Sequence, residues 1–231
     1  MKLYVIRHGD PDYKNDNLTP LGRRQAEALA HRLVNCGIDE IYSSPLGRAQ
    51  ATAQPTAELL KKEIKILPWT SENTTAEHLF VTDKETGKRR WCMAQQNTNY
   101  KNNDTIRLFD NWQDAHPDFG SELVTEQIKY IADSSDEFLK EYGYERDGCI
   151  YKITEPSDKN IAVFCHAGFG TTWMAHLMQI PPHIIWSTFE FSPGTFSVFE
   201  FKNNENGITT PFCLTFCDTS HYHEARLPIQ Y

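Results

Sequence analysis

The sequence predicts a three-layer α/β/α sandwich, in which a mostly parallel sheet with an antiparallel edge lies between two layers of helices. Two short apolar runs, Leu3–Ile6 and Ile161–Cys165, have no polar interruption, which is typical of strands buried on both faces. Helical patterns follow both runs, and alternation of strand and helix favours parallel pairing. The chain has 231 residues, which suffices for one large α/β domain, so we expect a single domain over residues 1–231.

Capping residues and apolar spacing place the first two helices. Thr19 is a favourable N-cap residue, and Pro20 suits the first helical position. An apolar face of helical spacing follows and Gly37 closes it, so a helix is predicted from about 20 to 36. A second strand, Ile38–Tyr42, precedes a second amphipathic helix. The apolar positions of that helix are Leu46, Ala49, Ala53, Ala57 and Leu60.

The long segment after the third strand has no clear period. That strand is predicted at Ile64–Leu67, and residues 69–117 follow it. Polar runs at Gln95–Asn99 and Asn102–Asp104 are typical of surface loops. A stretch of this length without a regular pattern is often a lid or a binding element. We therefore predict an insertion, or lid, at about 69–117 that lies over the site and contains a short helix.

Helical spacing returns at Ser121, and a long helix is predicted up to Gly143. After the strand Ile161–Cys165, a helix is expected from about 168 to 178, and Pro181-Pro182 opens a short one. Each of these helices continues the alternation on which the predicted fold depends.

A hairpin is predicted near the C-terminus. Two strand-like segments, 195–201 and 209–216, flank the polar run Asn203–Gly207. This run contains Asn-Gly, which is a strong hairpin signal between two strands.

Charge and composition limit the partners and the compartment. The formal net charge is -8, so we expect neither nucleic acid nor an anionic membrane as a partner. No apolar run approaches ~18 residues and the N-terminus lacks a signal-peptide pattern, so we predict a cytoplasmic protein without a membrane span. The sequence leaves the oligomeric state open, a homodimer included.

The six cysteines include no CxxC pair, and we expect them to be reduced and mostly buried. Cys165 begins the segment Cys165–Thr172, which superficially resembles the loop of a cysteine-dependent phosphatase. That chemistry needs an arginine about six residues after the thiolate, and Thr171 occupies this place. We therefore exclude a cysteine nucleophile.

Both buried strands end in a histidine beside small residues. Arg7, His8 and Gly9 end the first strand, and His166 follows the second. Ligands of open α/β sheets bind outside the carboxyl ends of the strands, where a glycine lets the backbone come close. An arginine fork suits phosphate, and a neutral imidazole is a competent nucleophile toward phosphorus. Arg48 lies in the first turn of the second helix, near the positive end of its dipole. These residue types together indicate a phosphoryl-group site.

Three segments resemble the motifs of a known family. They are Leu3–Gly9, Ser43–Ala53 and Phe164–Gly168, and their order, spacing and position at strand ends all agree. On these segments the chain is similar to the histidine phosphatase superfamily, branch 1, which contains the cofactor-dependent phosphoglycerate mutases and many phosphomonoesterases. The resemblance implies a phosphoglycerate mutase-like fold and supplies the strand order that periodicity does not give.

The resemblance also implies roles for individual residues. His8 would be the nucleophile that is transiently phosphorylated, and Arg7 and Arg48 would grip the phosphoryl oxygens. His166 would be the second histidine, which donates to the transferring group. Such a site stabilises charge without a metal or a cofactor. We therefore expect neither a metal nor a cofactor in this protein.

The family also has an acid for the leaving oxygen, usually a glutamate shortly after the third strand. Glu72 stands at the matching place, and partial burial would keep it protonated part of the time. Glu77 is the rival. The glycine and tryptophan that follow this glutamate in the family are missing here, and spacing favours Glu72.

The first motif is followed by a second departure from the family pattern. Where the family has threonine and asparagine that touch phosphate, this chain has Pro11 and Lys14. Lys14 would supply a full charge instead, or Asn15 would serve by a one-residue shift; the alternative is that neither touches ligand.

A basic cluster lies within the insertion, at Lys84 and Lys88–Trp91. It would hold a second anionic group if it lay beside the pocket. The preferred interpretation is a solvated run of loop charges.

Four functions compete. The leading one is a metal-independent phosphomonoesterase that acts on a small phosphorylated metabolite through a phosphohistidine intermediate. A phosphoglycerate mutase-type isomerase would use the same catalytic residues, and a non-catalytic protein would keep only the phospholigand pocket. The fourth is a metallohydrolase built on Asp218, His221 and His223, although a structural role for this segment is favoured.

Overall fold

A computed structural model of the protein describes residues 1–82, 86–94 and 109–229. The strands are β1 (Lys2–Arg7), β2 (Pro11–Asp12), β3 (Asn17–Leu18), β4 (Glu40–Ser43), β5 (Ile64–Ile66), β6 (Phe80–Thr82), β7 (Arg89–Trp91), β8 (Tyr144–Asp147), β9 (Ile150–Ile153), β10 (Asn160–Cys165), β11 (Phe196–Glu200), β12 (Ile208–Thr209) and β13 (Phe212–Asp218). The α-helices are α1 (Pro20–Leu33), α2 (Gly47–Leu60), α3 (Glu72–Leu79), α4 (Glu122–Lys140), α5 (Ala167–Met178), α6 (Pro182–Thr188) and α7 (Ser220–Glu224).

The main sheet has six strands in the order β13-β11-β1-β10-β4-β5. Strands β1, β10, β4 and β5 pair in parallel. Strands β11 and β13 complete one edge and run antiparallel to their neighbours. The predicted fold class, a mostly parallel sheet with an antiparallel edge, is therefore confirmed.

The side chains of β1 alternate between two cores. Leu3 and Val5 pack in one apolar cluster with residues of α4 and α5. Tyr4 and Ile6 pack in the other, with residues of α1 and α2. Successive strand residues point to opposite faces, so an uninterrupted apolar run is what a strand covered on both sides requires. The three predicted layers follow from this arrangement.

The first helix begins and ends close to where its signals predict. The Thr19 side chain accepts a hydrogen bond from the Gly22 backbone N–H, and Pro20 is the first helical residue. The α-helix ends at Leu33, a 3-10 turn covers Val34–Cys36, and Gly37 has a φ of 64°. This left-handed conformation costs a glycine little.

The predicted insertion carries regular structure in its described parts. The 3-10 turn Pro68–Thr70 leads into α3, and the two-stranded β6–β7 hairpin follows. Helix α3 confirms the expected short helix. The polar runs at 95–99 and 102–104 lie outside the described residues.

A hairpin that the sequence analysis missed joins α4 to β10. Strands β8 and β9 pair antiparallel, and Gly148 between them has a φ of 59°. Asp147-Gly148 is a hairpin signal in its own right. The predicted C-terminal hairpin is also corrected in one detail. Strands β11 and β13 do pair, but Ile208 and Thr209 pair with β9 instead, and β13 starts only at Phe212.

Candidate active site

Parallel pairing brings the two strand-end histidines together. Arg7 of β1 is in register with Cys165 of β10, so His8 and His166 follow at the same level of the sheet. The His8 backbone N–H donates to the Cys165 carbonyl at 3.0 Å. The centroids of the two imidazole rings are 5.1 Å apart, with an interplanar angle of 61°. Residues 158 positions apart in the chain thus share one site because their strands are neighbours.

The His8 imidazole is held as a neutral ring. Its side chain is buried, and its Nδ1 lies 2.7 Å from the Gly9 carbonyl oxygen. Because a carbonyl only accepts, Nδ1 carries the hydrogen of the neutral ring and Nε2 keeps its lone pair. Burial lowers the pKa of His8 to about 3, and the charges of Arg7 and Arg48 act in the same direction.

The His166 imidazole is fixed by a serine of the second motif. His166 is fully buried, and its Nε2 lies 2.8 Å from Ser44 Oγ. Ser44 Oγ accepts from the Leu46 N–H, so its own hydrogen is available to donate to Nε2. Nδ1 then carries the hydrogen of the ring, and it has no partner among the described residues. Burial, His8 and Arg48 all hold the pKa of His166 well below its usual range.

Two guanidinium groups flank the histidines. The side chains of Arg7 and Arg48 are only 17% and 8% exposed. Arg7 Nη1 donates to the Phe191 carbonyl, and Arg48 Nη1 donates to Asp16 Oδ1 at 2.6 Å. Within the described part of the chain, the buried Nε atoms of both arginines have no acceptor. Both groups therefore have hydrogen-bonding capacity to offer an anion.

Glu72 begins α3 and reaches the first turn of α5. Its Oε1 and Oε2 accept the backbone N–H groups of Gly168 and Phe169, both at 3.0 Å. Burial raises the pKa of the Glu72 carboxyl, against the opposing effect of these N–H groups and of both arginines. Glu77 is exposed on the same helix and does not reach the pocket.

Arg7, His8, Arg48 and Glu72 open into a cavity of about 450 Å³. His166 is fully buried and is not among the residues that line this cavity. The rest of the wall comes from the loop after β1, from α3, from the β6–β7 hairpin and from the start of α5. These residues are Tyr13, Asp16, Asn73, Ala76, Phe80, Trp91 and Ala167. The structure thus brings together five predicted site residues.

Lys14 and Asn15 are not among the residues that form this wall. Both side chains are exposed, and the Asn15 amide donates to Asp12 at 2.7 Å. A phosphate contact from either residue stays a prediction.

The same loop supplies Asp16, which the sequence analysis missed. Asp16 accepts from Arg48 and, at 2.6 Å, from the Gly47 N–H at the start of α2. Partial burial opposes ionisation, but Gly47 and Arg48 keep the pKa of Asp16 below its ordinary value. Asp16 has a φ of 46°, a left-handed conformation that aspartate adopts more readily than most residues. The contact between residues 16 and 48 bridges two chain segments, so local patterns give no signal for it.

Gly9 also has a packing reason for being glycine, and the predicted approach to a ligand stays a prediction. A Cβ on Gly9 would lie 2.7 Å from the Gly22 carbonyl oxygen. Its lack of a side chain admits the backbone of α1, and no ligand is needed to explain it.

The described side chains of the predicted basic cluster lie in different environments. Lys84 lies outside the described residues, and Lys88 is exposed. Arg90 pairs with Asp118 at 2.8 Å, whereas the Arg89 guanidinium lies over the Phe80 ring, 5.4 Å from its centroid. A second anion site at this cluster stays a prediction.

The three side chains considered for a metal site do not converge. His221 is buried with Nε2 2.9 Å from the Gly194 carbonyl, His223 is exposed, and Asp218 faces Arg32 at 3.7 Å. The described residues contain no group of three or more His, Cys, Asp or Glu side chains suited to a metal ion. Among the described helices, none combines the length and apolar character that crossing a membrane requires.

Comparison with known proteins finds relatives that are described as phosphatases. A Schizosaccharomyces pombe protein described as a probable phosphatase is 38% identical over 76 residues, or 29% of this chain and 36% of its own length. The match thus spans about a third of that relative. The Escherichia coli adenosylcobalamin/alpha-ribazole phosphatase is 26% identical over 212 residues, which cover 87% of this chain and 91% of the relative.

A solved structure extends the likeness to the fold. Phosphoserine phosphatase from Entamoeba histolytica, in complex with 3-phosphoglyceric acid, superposes with a TM-score of 0.60 at 22% identity. The superposition covers 95% of this chain and 98% of that chain. The family model of the histidine phosphatase superfamily, branch 1, matches residues 3–212, which include every residue of the site described above. The chain belongs to the histidine phosphatase superfamily, branch 1.

Proposed function

We propose that the protein is a phosphomonoesterase that hydrolyses a small phosphorylated metabolite through a phosphohistidine on His8. The observation that carries this proposal is the His8 imidazole itself: a neutral ring with a free Nε2 lone pair, between two buried guanidinium groups. A nucleophile toward phosphorus needs that lone pair, and an incoming phosphate needs those charges.

In the first step, His8 Nε2 attacks phosphorus and the P–O bond to the leaving group breaks. Arg7 and Arg48 stabilise the charge on the phosphoryl oxygens, while His166 packs beside the His8 ring. Glu72 transfers its proton to the leaving oxygen, so an alcohol departs.

In the second step, water attacks the phosphorus of the phosphohistidine. The Glu72 carboxylate removes a proton from the water, the P–N bond breaks, and phosphate is released. Glu72 and His8 end in their starting protonation states. Their pKa shifts support this division of labour, since burial keeps His8 neutral and raises the pKa of Glu72 toward the acid's role.

Two features favour hydrolysis over phosphoryl transfer to a second hydroxyl. Two residues of the wall, Asn73 and Tyr13, are exposed to solvent, so water can enter the cavity beside them. A relative that matches most of this chain carries the name of a phosphatase. We infer that α3 and the β6–β7 hairpin act as the lid of the pocket, and that no metal takes part.

The test is hydrolysis of p-nitrophenyl phosphate in EDTA by the wild type and by His8→Ala, with trapping of acid-labile phosphoprotein. We expect turnover and a trapped phosphohistidine in the wild type, and a loss on the order of 10⁴-fold or more in the variant. Full activity in folded His8→Ala would refute the mechanism. Activity that depends on metal would refute its metal independence.

A further inference from the structure

Three aromatic rings, those of Tyr13, Phe80 and Trp91, belong to the wall of the pocket. Phe80 and Trp91 lie opposite each other in the β6–β7 hairpin, with ring centroids 4.5 Å apart and planes tilted by 48°. Tyr13 belongs to the same wall, and the Arg48 guanidinium lies 5.5 Å from the centroid of its ring. These three rings offer flat, apolar surface next to the charged end of the pocket.

Trp91 stands beside the carboxyl group to which we assign the leaving oxygen. A Cβ on Gly168 would lie 3.0 Å from Glu72 Oε1 and 3.2 Å from Trp91 Cζ3. The ring edge of Trp91 and the carboxyl oxygen of Glu72 therefore both approach Gly168 in the first turn of α5. Because Glu72 and Trp91 line the same cavity and both approach Gly168, a leaving group beside Glu72 is within reach of the Trp91 ring.

The charges of the lining residues disfavour a second anion on the substrate, and Arg89, which lies over the Phe80 ring, is not among those residues. Among the described residues that line the cavity, the cations are Arg7 and Arg48, and Arg48 is already paired with Asp16. The carboxyl groups of Asp16 and Glu72 are the other ionisable acids of the wall. Bringing a further carboxylate next to Asp16 costs free energy unless a cation accompanies it.

We propose that the leaving group of the substrate carries an uncharged aromatic ring, which packs against Trp91 and Phe80. This inference rests on the proposed function, because it assigns the alcohol part of the ester. Aromatic pairs gain free energy from tilted and edge-to-face contacts in addition to burial of their area, so a flat ring is preferred to an aliphatic ring of similar size.

The test compares three phosphate esters of primary alcohols: benzyl phosphate, cyclohexylmethyl phosphate and phosphoserine. We expect kcat/KM for benzyl phosphate to exceed that for cyclohexylmethyl phosphate about two- to tenfold, the range of one good aromatic contact. Phosphoserine should be the poorest substrate. Trp91→Leu should bring the benzyl-to-cyclohexylmethyl ratio close to one, and Phe80→Leu should reduce it. Phe212→Leu is the matched control, since Phe212 is 60% exposed on β13 and outside the pocket.

The outcomes separate this inference from the proposed function. Equal rates for the two ring esters, or a preference for phosphoserine, would overturn the aromatic assignment while hydrolysis that depends on His8 still stood. If no ester is turned over, the proposed function fails, and binding of benzylphosphonate against cyclohexylmethylphosphonate by calorimetry still tests the ring preference. Equal affinities there would overturn it as well.

Discussion

The two ends of the pocket are built in opposite ways. At the phosphoryl end, His8 is 2% exposed and His166 is fully buried, and both hang from adjacent strands of the central sheet. At the leaving-group end, Tyr13 is 70% exposed, and Phe80 and Trp91 belong to a hairpin of two three-residue strands. The first end is positioned by the sheet itself, whereas the second belongs to the loop after β1 and to a short hairpin whose Trp91 packs against a small cluster outside the sheet. Under the proposed function, chemistry and choice of substrate would thus rest on separate parts of the molecule.

Glu72 joins the two ends, and replacing it gives the largest effect after loss of the nucleophile. We expect Glu72→Gln to lower kcat for an alkyl phosphate about 10²- to 10⁴-fold, because the leaving alkoxide then departs without a proton. Glu77→Gln is the matched control on the same helix and should change kcat little. If Glu77→Gln is the slow variant, the acid has been assigned to the wrong residue.

The pH profile checks the same assignment. Burial raises the pKa of Glu72 above its ordinary value of 4.5, so the protonated acid persists to higher pH than in an exposed glutamate. In the wild type, kcat/KM should fall as the pH rises through this pKa, and Glu72→Gln should lack that limb. If kcat/KM still falls over the same pH range in Glu72→Gln, that fall reports the titration of another group.

Four buried histidines, two of them at the phosphoryl end, make the folded protein sensitive to acid. Burial lowers the pKa of His8 to about 3 and that of His183 to about 4, and the pKa values of His166 and His221 are lowered too. Below pH 6.5, their ordinary value, the unfolded chain binds protons that the folded chain does not. The free energy of unfolding should therefore decrease as the pH falls, by up to about 1.4 kcal/mol per pH unit for each such proton.

Urea unfolding between pH 7 and pH 5 measures this slope. The control is His223→Asn, which replaces an exposed histidine on α7 and should leave the slope unchanged. A free energy of unfolding that stays constant over this range would mean that the buried histidines take up protons in the folded state.

Asp16 belongs to the wall of the same pocket, and its replacement has the smallest expected effect on the protein's behaviour. Its carboxylate competes with phosphate for Arg48, so Asp16→Asn should tighten inhibition by inorganic phosphate about two- to fivefold, as expected for one partly exposed ion pair. Asp12→Asn is the control in the same loop, because Asp12 bonds only within that loop in the described structure. Weaker inhibition by phosphate in Asp16→Asn would show that the carboxylate supports the anion site instead.

The phosphoryl end could be predicted because its signals are local. An apolar run followed by Arg7 and His8 identifies a strand end, and the same pattern before His166 identifies its neighbour. Parallel pairing then forces the two ends together, and α2 adds Arg48 through its first turn. The roles of these residues stay predictions until the variants are measured.

The leaving-group end gave no comparable signal. Trp91 was interpreted as part of a run of loop charges, although it faces Phe80 across a hairpin and approaches Gly168 of a distant helix. Contacts of this kind depend on tertiary packing, which spacing along the chain does not encode. The missed β8–β9 hairpin is different, since Asp147-Gly148 was a readable turn signal.

The register of β1 and β10 has a consequence for protein engineering. The centroids of the His8 and His166 rings are 5.1 Å apart, close to the ~4.8 Å spacing of hydrogen-bonded strands. The pairing of β1 with β10 thus sets the distance between the two rings. Side-chain changes outside β1 and β10 leave this backbone pairing intact. A combinatorial library confined to Phe80–Thr82 and Arg89–Trp91 would therefore sample new alcohols while the distance between the two imidazoles stays constant.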